Sequence, residues 1–459
     1  MSIEYIHPLL QKHIKQITMV NDVYNGADTA STYLSQMPQE LDTTFAERKD
    51  KVTLKNYVRR SIEAMVGMIY RKPIAPLGYS EQVLELMKNI DLKGTINQFS
   101  REITDNLIRD GAAYILVDSS EELDRPYFIA LSRMDVVNWK KDINNNFTQV
   151  VIKESVDEAL DDYAIERISQ YRVYDEKGNI HIYRKNEVSG NIEETEFIDT
   201  GLGYIPLVEL KLEEIPPMYD IARLNIKHMN RTSVKDRYLD MAACPVPVIW
   251  GANLEEDGSV DTAKPALVIG VDEAFVFTGT KDEADFQWRE LSGSSIDKLQ
   301  EDLKVIQDEI TTGVIRATAS DTTTTKTATQ SMYEAGEASN RVTVIANLME
   351  FGINKSIMYL QDFMNDDSVG FMKVNKDYIS IPSNGQDTRT VMEMYLAGTI
   401  SYETYIHSLQ KQEVIDVPSI EEEIKRIETA TFKPEPLVKE PTTNTVDNKI
   451  KQDVEDEEE

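Results

Sequence analysis

Cysteine and histidine are scarce in this sequence, with one cysteine, Cys244, and five histidines among 459 residues. A single thiol can form neither an internal disulfide nor a cysteine metal cluster, which excludes a disulfide-rich secreted domain and a zinc ribbon. The histidines show no metal-ligand spacing; they are His7, His13, His181, His228 and His407. We therefore predict a reducing compartment and no bound metal or cofactor.

Long apolar runs and common catalytic motifs are also absent. No stretch approaches about 18 apolar residues without a charge, and residues 1–17 contain no uninterrupted apolar segment, so we expect neither a membrane span nor a signal peptide. The phosphate-loop pattern GxxxxGKS/T and the patterns HExxH, GxSxG and GxGxxG do not occur. The sequence names no catalytic residue, and we predict that the protein is not an enzyme.

Basic residues are in deficit, with 49 Lys and Arg against 80 Asp and Glu and a formal net charge of −31. A field of this sign repels the phosphate backbone, which excludes a protein that coats DNA. Hydrophobic residues make up 41% of the chain, which is enough for a folded core. The length predicts two or three packed units rather than one globule.

The first half of the chain predicts helices followed by a sheet. Apolar residues recur at three- and four-residue steps in 53–70 and 95–110, which predicts two helices, the second ending at Gly111. The run 112–118 predicts a strand. Short β-rich segments from there to about residue 212, with a hairpin turn at 176–179, predict a largely antiparallel sheet.

The second half predicts long helices around a small β-rich segment. A helix over 218–243 would be about 37 Å long, and residues 244–294 contain several short strand patterns before a second helix over 295–315. A third long helix is predicted from residue 331 to about 364, and shorter helices follow in 391–430. Residues 431–459 are rich in proline and acidic residues and are predicted to be disordered. The predicted fold class is α+β, mainly helical.

Several segments, in this order and spacing, resemble the portal proteins of tailed bacteriophages, the head-to-tail connectors. Together they span residues 20 to 360, and none is a catalytic signature. They are Val23-Tyr-Asn-Gly26 with Tyr33-Leu34, Gly67-Met-Ile-Tyr-Arg-Lys-Pro73, Leu107-Ile-Arg-Asp-Gly111 with Tyr114-Ile-Leu-Val-Asp118, Arg125-Pro-Tyr127 with Asn138-Trp139, Ile205-Pro206, Asp220-Ile-Ala-Arg-Leu-Asn-Ile-Lys-His228, Pro245-Val-Pro-Val-Ile-Trp-Gly251 and Thr327-Ala-Thr329.

The resemblance implies a ring of twelve copies at one vertex of a virion capsid, assembled in the host cytoplasm. Double-stranded DNA would pass through the ring with weak, non-specific contact during packaging and ejection. The implied partners are the terminase motor, a head–tail adaptor, and the major capsid or scaffolding protein, with no membrane. The implied regions are a wing (1–217, with return to it in 331–390), stem helices (218–243 and 295–315), a clip (244–294), a tunnel loop (316–330) and a short helical crown (391–430).

Four cations recur at four-residue steps on the first long helix: Arg223, Lys227, Arg231 and Lys235. This spacing advances 40° beyond a full turn at each step, so the stripe spirals through about 120° and cannot face one partner equally. The cations could face DNA in the channel, acidic residues of a neighbouring subunit, or solvent. The sequence leaves these three interpretations open.

The segment 317–330 is rich in Ser and Thr, which disfavours a helix interior and predicts an exposed loop. A channel loop that touches moving DNA should avoid strong contacts, because each phosphate–cation pair adds to binding. The candidate residues for contact with DNA are Arg316, Thr322, Thr323, Thr324, Thr325 and Lys326. A plain flexible linker is the alternative.

Two tryptophans in the β-rich segment, Trp250 and Trp288, are candidates for docking an adaptor, with core packing as the alternative. Two other classes of protein compete with the portal interpretation. A packaging enzyme of the terminase type would need a phosphate loop, which the sequence lacks. A head–tail adaptor or minor capsid protein would not require two long helices around a β-rich segment.

Overall fold

The structure is a computed structural model. It describes residues 3–243 except 39, 121, 122, 124, 160, 162 and 187–189, and then residues 246–250, 285–289, 294–318, 328–376, 385–411, 415, 426 and 429. The chain divides into two compact units, Met1–Tyr378 and Ile379–Glu459. Among the described helices, none is long and apolar enough to cross a membrane.

The described part of the chain contains helices of very different lengths, two short 3₁₀ turns aside. They are α1 (Pro8–Asn25), α2 (Ala27–Ala30), α3 (Asp42–Asp50), α4 (Tyr57–Ile69), α5 (Glu81–Leu86), α6 (Ile96–Asp110), α7 (Tyr219–Ala243), α8 (Ser294–Thr318), α9 (Ala328–Met364), α10 (Gly385–Leu396) and α11 (Tyr402–Lys411).

The strands form antiparallel sheets, as the hairpin pattern predicts. They are β1 (Ala75–Leu77), β2 (Ala112–Ser120), β3 (Arg125–Ser132), β4 (Val136–Lys141), β5 (Phe147–Ala159), β6 (Ile165–Tyr174), β7 (Ile180–Lys185), β8 (Ile192–Ile198), β9 (Leu207–Lys211), β10 (Val246–Trp250), β11 (Asp285–Arg289) and β12 (Phe371–Lys373). Three strands pair in the order β3-β2-β9, and five form the meander β4-β5-β6-β7-β8. Two further pairs are β1-β12 and β10-β11. The predicted α+β class is confirmed.

Residues 112–117 of strand β2 are a run of apolar and aromatic residues, and both faces of the strand are buried there. Successive side chains of a strand point to opposite faces, and Ala113, Ile115 and Val117 pack into the core formed with the helices. Tyr114 and Leu116 pack into a second core, shared with the five-stranded meander. The first unit therefore has three layers, with helices on one face of the three-stranded sheet and the meander on the other.

Helix α6 lies against β2 and β3 and is closed at both ends by local chemistry. The Thr95 and Gln98 side chains and backbone form a capping box at its start. Gly111 ends it with φ of 81°, and its N–H donates to the Leu107 carbonyl at 2.9 Å. A Cβ at this position would lie 2.7 Å from the Glu213 carbonyl oxygen, so both the conformation and the contact favour glycine.

Helices α7, α8 and α9 follow one another along the chain, and α8 contacts both of the others. The strand pair β10-β11 continues from the ends of α7 and α8, with Val246 opposite Arg289 nearest to the helices. Helices α7 and α8 therefore run antiparallel, each about 37 Å long, and α9 is about 55 Å long. Helix α9 returns to the three-stranded sheet and packs on its strands.

The second unit contains α10 and α11. The ring of Tyr395 stacks on that of Tyr405, with centroids 4.8 Å apart, and Ile406 and Leu409 are buried. Helix α10 begins at Gly385, so residues 385–390 are helical. The tail predicted to be disordered, 431–459, lies outside the described residues.

Candidate channel and subunit-interface residues

Two asparagines of α7 fix its rotation against the amino-terminal helices. Asn225, fully buried, accepts from the Tyr57 N–H and donates to the Lys55 carbonyl, both at 2.9 Å. Asn230 accepts from the Ser35 N–H at 2.8 Å and donates to the Tyr33 carbonyl at 3.2 Å. These bonds tie α7 to backbone groups between residues 33 and 57, and they determine which face of α7 is turned outward. No pattern in the sequence indicated that either asparagine has this role.

The four cations of α7 lie on its outer side in different surroundings. Arg223, Lys227 and Arg231 are exposed, whereas Lys235 is half-buried, with its Nζ 3.8 Å from Asp236. The Arg223 guanidinium lies 5.9 Å from the centre of the Tyr219 ring. As the spiral of the stripe predicts, the four side chains do not share one surrounding.

Arg231 pairs with Asp302 of α8, with 3.1 Å between Nε and Oδ2. None of the three interpretations of the stripe anticipated this partner, since it belongs to the same chain. Because α7 and α8 are antiparallel, the ion pair sets the level at which the two helices meet.

The inner face of α8 carries the predicted apolar stripe. Leu303, Ile306 and Ile310 are buried, and Ile296 and Leu299 are partly buried. The exposed side carries four acidic residues, Asp297, Glu301, Asp308 and Glu309, and two lysines, Lys298 and Lys304. Helix α8 is thus amphipathic, with its acidic residues turned away from the core.

The Ser/Thr-rich segment is shorter than the predicted loop over 316–330. Helix α8 continues to Thr318 and α9 begins at Ala328, so Arg316 is a helical residue. The helix-propensity cost of a threonine is only a few tenths of a kcal/mol, and alanines at both ends favour the helix, so the composition did not end it where expected. The candidates Thr322, Thr323, Thr324, Thr325 and Lys326 lie outside the described residues.

The two tryptophans occupy opposite ends of the β10-β11 pair. Trp288 is opposite Pro247, close to the helices, and Trp250 is opposite Asp285 at the far end. Residues 251–284 of the predicted β-rich segment lie outside the described residues.

Helix α9 has a second apolar stripe that faces away from the core. Val344, Phe351 and Met358 are 55%, 59% and 51% exposed, and their seven-residue spacing places them on one face. Phe351 also lines an open groove of about 570 Å³ between α9 and strands β4, β5 and β9, together with Phe147 and Tyr204.

Among the described residues, no three His, Cys, Asp or Glu side chains are grouped so that they could hold a metal ion. The buried His228 packs edge-on against Tyr57, with ring centroids 5.5 Å apart. Burial lowers the pKa of His228, and the cations Lys55 and Lys235 lower it further. The neutral imidazole is therefore a core residue of α7.

Residues 217–364 match the family described as a domain of unknown function, DUF4055. The match begins two residues before α7 and ends at the last residue of α9, so it covers the three long helices and β10-β11. No curated protein is significantly similar in sequence.

Three solved structures are similar in fold to parts of the chain. The neck of an empty gene transfer agent (GTA) particle computed with C6 symmetry has a TM-score of 0.43 at 14% identity, covering 81% of this chain and 94% of that chain. The virion of a native GTA particle has a TM-score of 0.43 at 12% identity, covering 84% of this chain and 98% of that chain. The neck of a native GTA particle computed with C12 symmetry has a TM-score of 0.40 at 14% identity, covering 77% of this chain and 89% of that chain.

Proposed function

We propose that the chain is a portal protein, a structural subunit that assembles into a ring and conducts double-stranded DNA through a virion vertex without catalysis. The observation that carries the proposal is the antiparallel pair α7 and α8, extended at one end by β10-β11 and packed at the other against the amino-terminal helices α1 and α4. Helices of this length with charged outer faces suit side-by-side packing around an axis. The ordered segments that resemble portal proteins support the same interpretation.

In this proposal the sheets and amino-terminal helices form the wing, α7 and α8 the stem, and β10-β11 part of the clip. The clip, with Trp250 and Trp288, would bind the terminase motor and later a head–tail adaptor, and α10 and α11 would belong to the crown. Capsid or scaffolding protein would surround the wing. Subunits would assemble in the host cytoplasm and remain in the virion.

The conduit proposal predicts that the purified full-length protein forms rings with a central hole. Negative-stain images should show them, and native mass spectrometry should give one dominant oligomer, twelve copies in the family pattern. Removal of residues 436–459 should leave the ring intact, because the long helices are expected to hold it together. A chain that remains monomeric in both experiments, or that hydrolyses ATP above a buffer control after a second purification, would contradict the proposal.

A second prediction concerns the hydroxyl-rich segment between α8 and α9. Replacing Thr322, Thr323, Thr324 and Thr325 with lysine should stall DNA packaging in a motor assay, because cations repeated on every subunit form a clamp through counterion release. Higher salt should partly relieve the stall. The matched control replaces the same four residues with serine and should package normally. Normal packaging by intact lysine-substituted rings would show that this segment does not meet DNA.

A further inference from the structure

Helices α7 and α8 carry opposite net charge. Helix α7 has five basic and three acidic residues, a net charge of +2, and α8 has five acidic and three basic residues, a net charge of −2. Arg223 and Lys227 are exposed on α7, and Asp308 and Glu309 are exposed on α8. In the described part of the chain, none of these four side chains forms an ion pair within its own copy.

These four residues lie at the same level along the helix pair. The Arg231–Asp302 ion pair marks two residues that lie at the same level on the antiparallel helices. Counting 1.5 Å per residue in opposite directions from that pair, Arg223 is level with residue 310 and Lys227 with residue 306. Asp308 and Glu309 lie between those levels, each within about 5 Å of either cation along the helix axis.

Rotation about a ring axis leaves the height of every residue along that axis unchanged. When the helices run along the axis, this height is the level along the helix pair. A second copy therefore presents its acidic residues at the height at which the first presents its cations. We propose that the α7 face containing Arg223 and Lys227 binds the α8 face containing Asp308 and Glu309 of the next copy, head to tail around the ring. This inference rests on the proposed portal function and names the contact that closes the ring.

One exposed ion pair is weak, but a closed ring repeats the contact at every interface. Like charges in place of the opposite charges would oppose ring closure at every interface. A head-to-tail contact also uses two different faces of the same chain, as the separate basic and acidic helices require.

The experiment uses three full-length variants in low-salt buffer. The acidic variant, R223E/K227E, and the basic variant, D308K/E309K, each place like charges at the contact, and each should lower the fraction of chains in rings about tenfold or more. The four-residue swap R223E/K227E/D308K/E309K restores opposite charges and should form rings. A 1:1 mixture of the acidic and basic variants should also form rings, because each then binds the other in alternation.

Native mass spectrometry resolves the mixed rings, since the two variants differ in mass. A control variant, K88E/K93E, changes the net charge as much as the acidic variant does, at exposed residues outside α7 and α8, and should assemble like the wild type. If the acidic and basic variants assemble normally, or if the swap and the mixture both fail, the proposed contact is wrong. If the wild type itself makes no rings, the proposed function fails instead.

Discussion

Replacing Arg172 with methionine is expected to lower the free energy of unfolding of the first unit by about 3 kcal/mol or more. Arg172, on β6, bridges the two sheets. Its NH1 lies 2.5 Å from Asp118 on β2, and its Nε lies 3.2 Å from Glu154 on β5. All three side chains are at most 20% exposed. Without the guanidinium, two largely buried carboxylates would face each other with neither a cation nor full hydration to compensate.

The same two strands provide a matched control. Arg167, also on β6, pairs with Asp157 of β5 at 2.7 Å, but the two side chains are 72% and 49% exposed. An ion pair in water contributes little, so Arg167→Met should change the free energy of unfolding by no more than about 1 kcal/mol. Urea-induced unfolding followed by tryptophan fluorescence measures both variants. If both variants lost the same free energy of unfolding, Arg172 would not couple the sheets through its charge.

The second large effect is expected at Glu40. Its carboxylate accepts from the Arg48 Nε and NH2 at 2.8 and 2.7 Å, and both side chains are less than 5% exposed. Arg48 also donates to the Ser35 carbonyl and to Ser233 of α7. Glu40→Gln leaves a buried guanidinium without its counter-charge, and we expect a loss of about 3 kcal/mol in the free energy of unfolding. Thermal unfolding should give a lower midpoint for the variant than for the wild type.

This pair also predicts a pH dependence. The Arg48 hydrogen bonds hold the pKa of Glu40 below its usual value, so the folded carboxylate binds its proton less readily than the unfolded one. The stabilisation is present above the ordinary carboxyl pKa, about 4.3, and is lost as the pH falls through the folded value. The stability difference between wild type and Glu40→Gln should therefore shrink below about pH 4. Glu85→Gln, in an exposed pair with Lys88, should show neither effect.

Patterns within short stretches of sequence predicted the helices and strands that such stretches specify on their own. The apolar run of β2 and the periodic stripe of α6 with its terminal glycine are both present in the structure. The pairing of β1 with β12 was missed because it joins Pro76 to Met372, and a proline in a three-residue segment argues against a strand. It is tolerated in a two-stranded pair, where the missing donor costs one bond at most.

Some features of the candidate site could likewise be predicted from local sequence, and others could not. Spacing alone predicted that the cations of α7 spiral around the helix, but the partner of Arg231 lies 71 residues further along the chain. Asn225 and Asn230, which fix the rotation of α7, bind backbone groups of distant segments, so no periodic signal marks them. The outward stripe of α9 had a signal in the seven-residue spacing of Val344, Phe351 and Met358. Hydrophobicity alone does not separate an outward stripe from a core stripe.

The core that joins the helices to β2 has a consequence for synthesis of the chain. It contains residues from Val20 to Val374, and α9 supplies much of the surface that covers β2. At about 5–20 residues per second, the ribosome takes roughly 12–50 s to pass from the end of β2 at Ser120 to the end of α9 at Met364. During that interval the apolar face of β2 has no covering helix α9, and such surfaces favour aggregation. The nascent chain should therefore be a substrate for chaperones until α9 has been made.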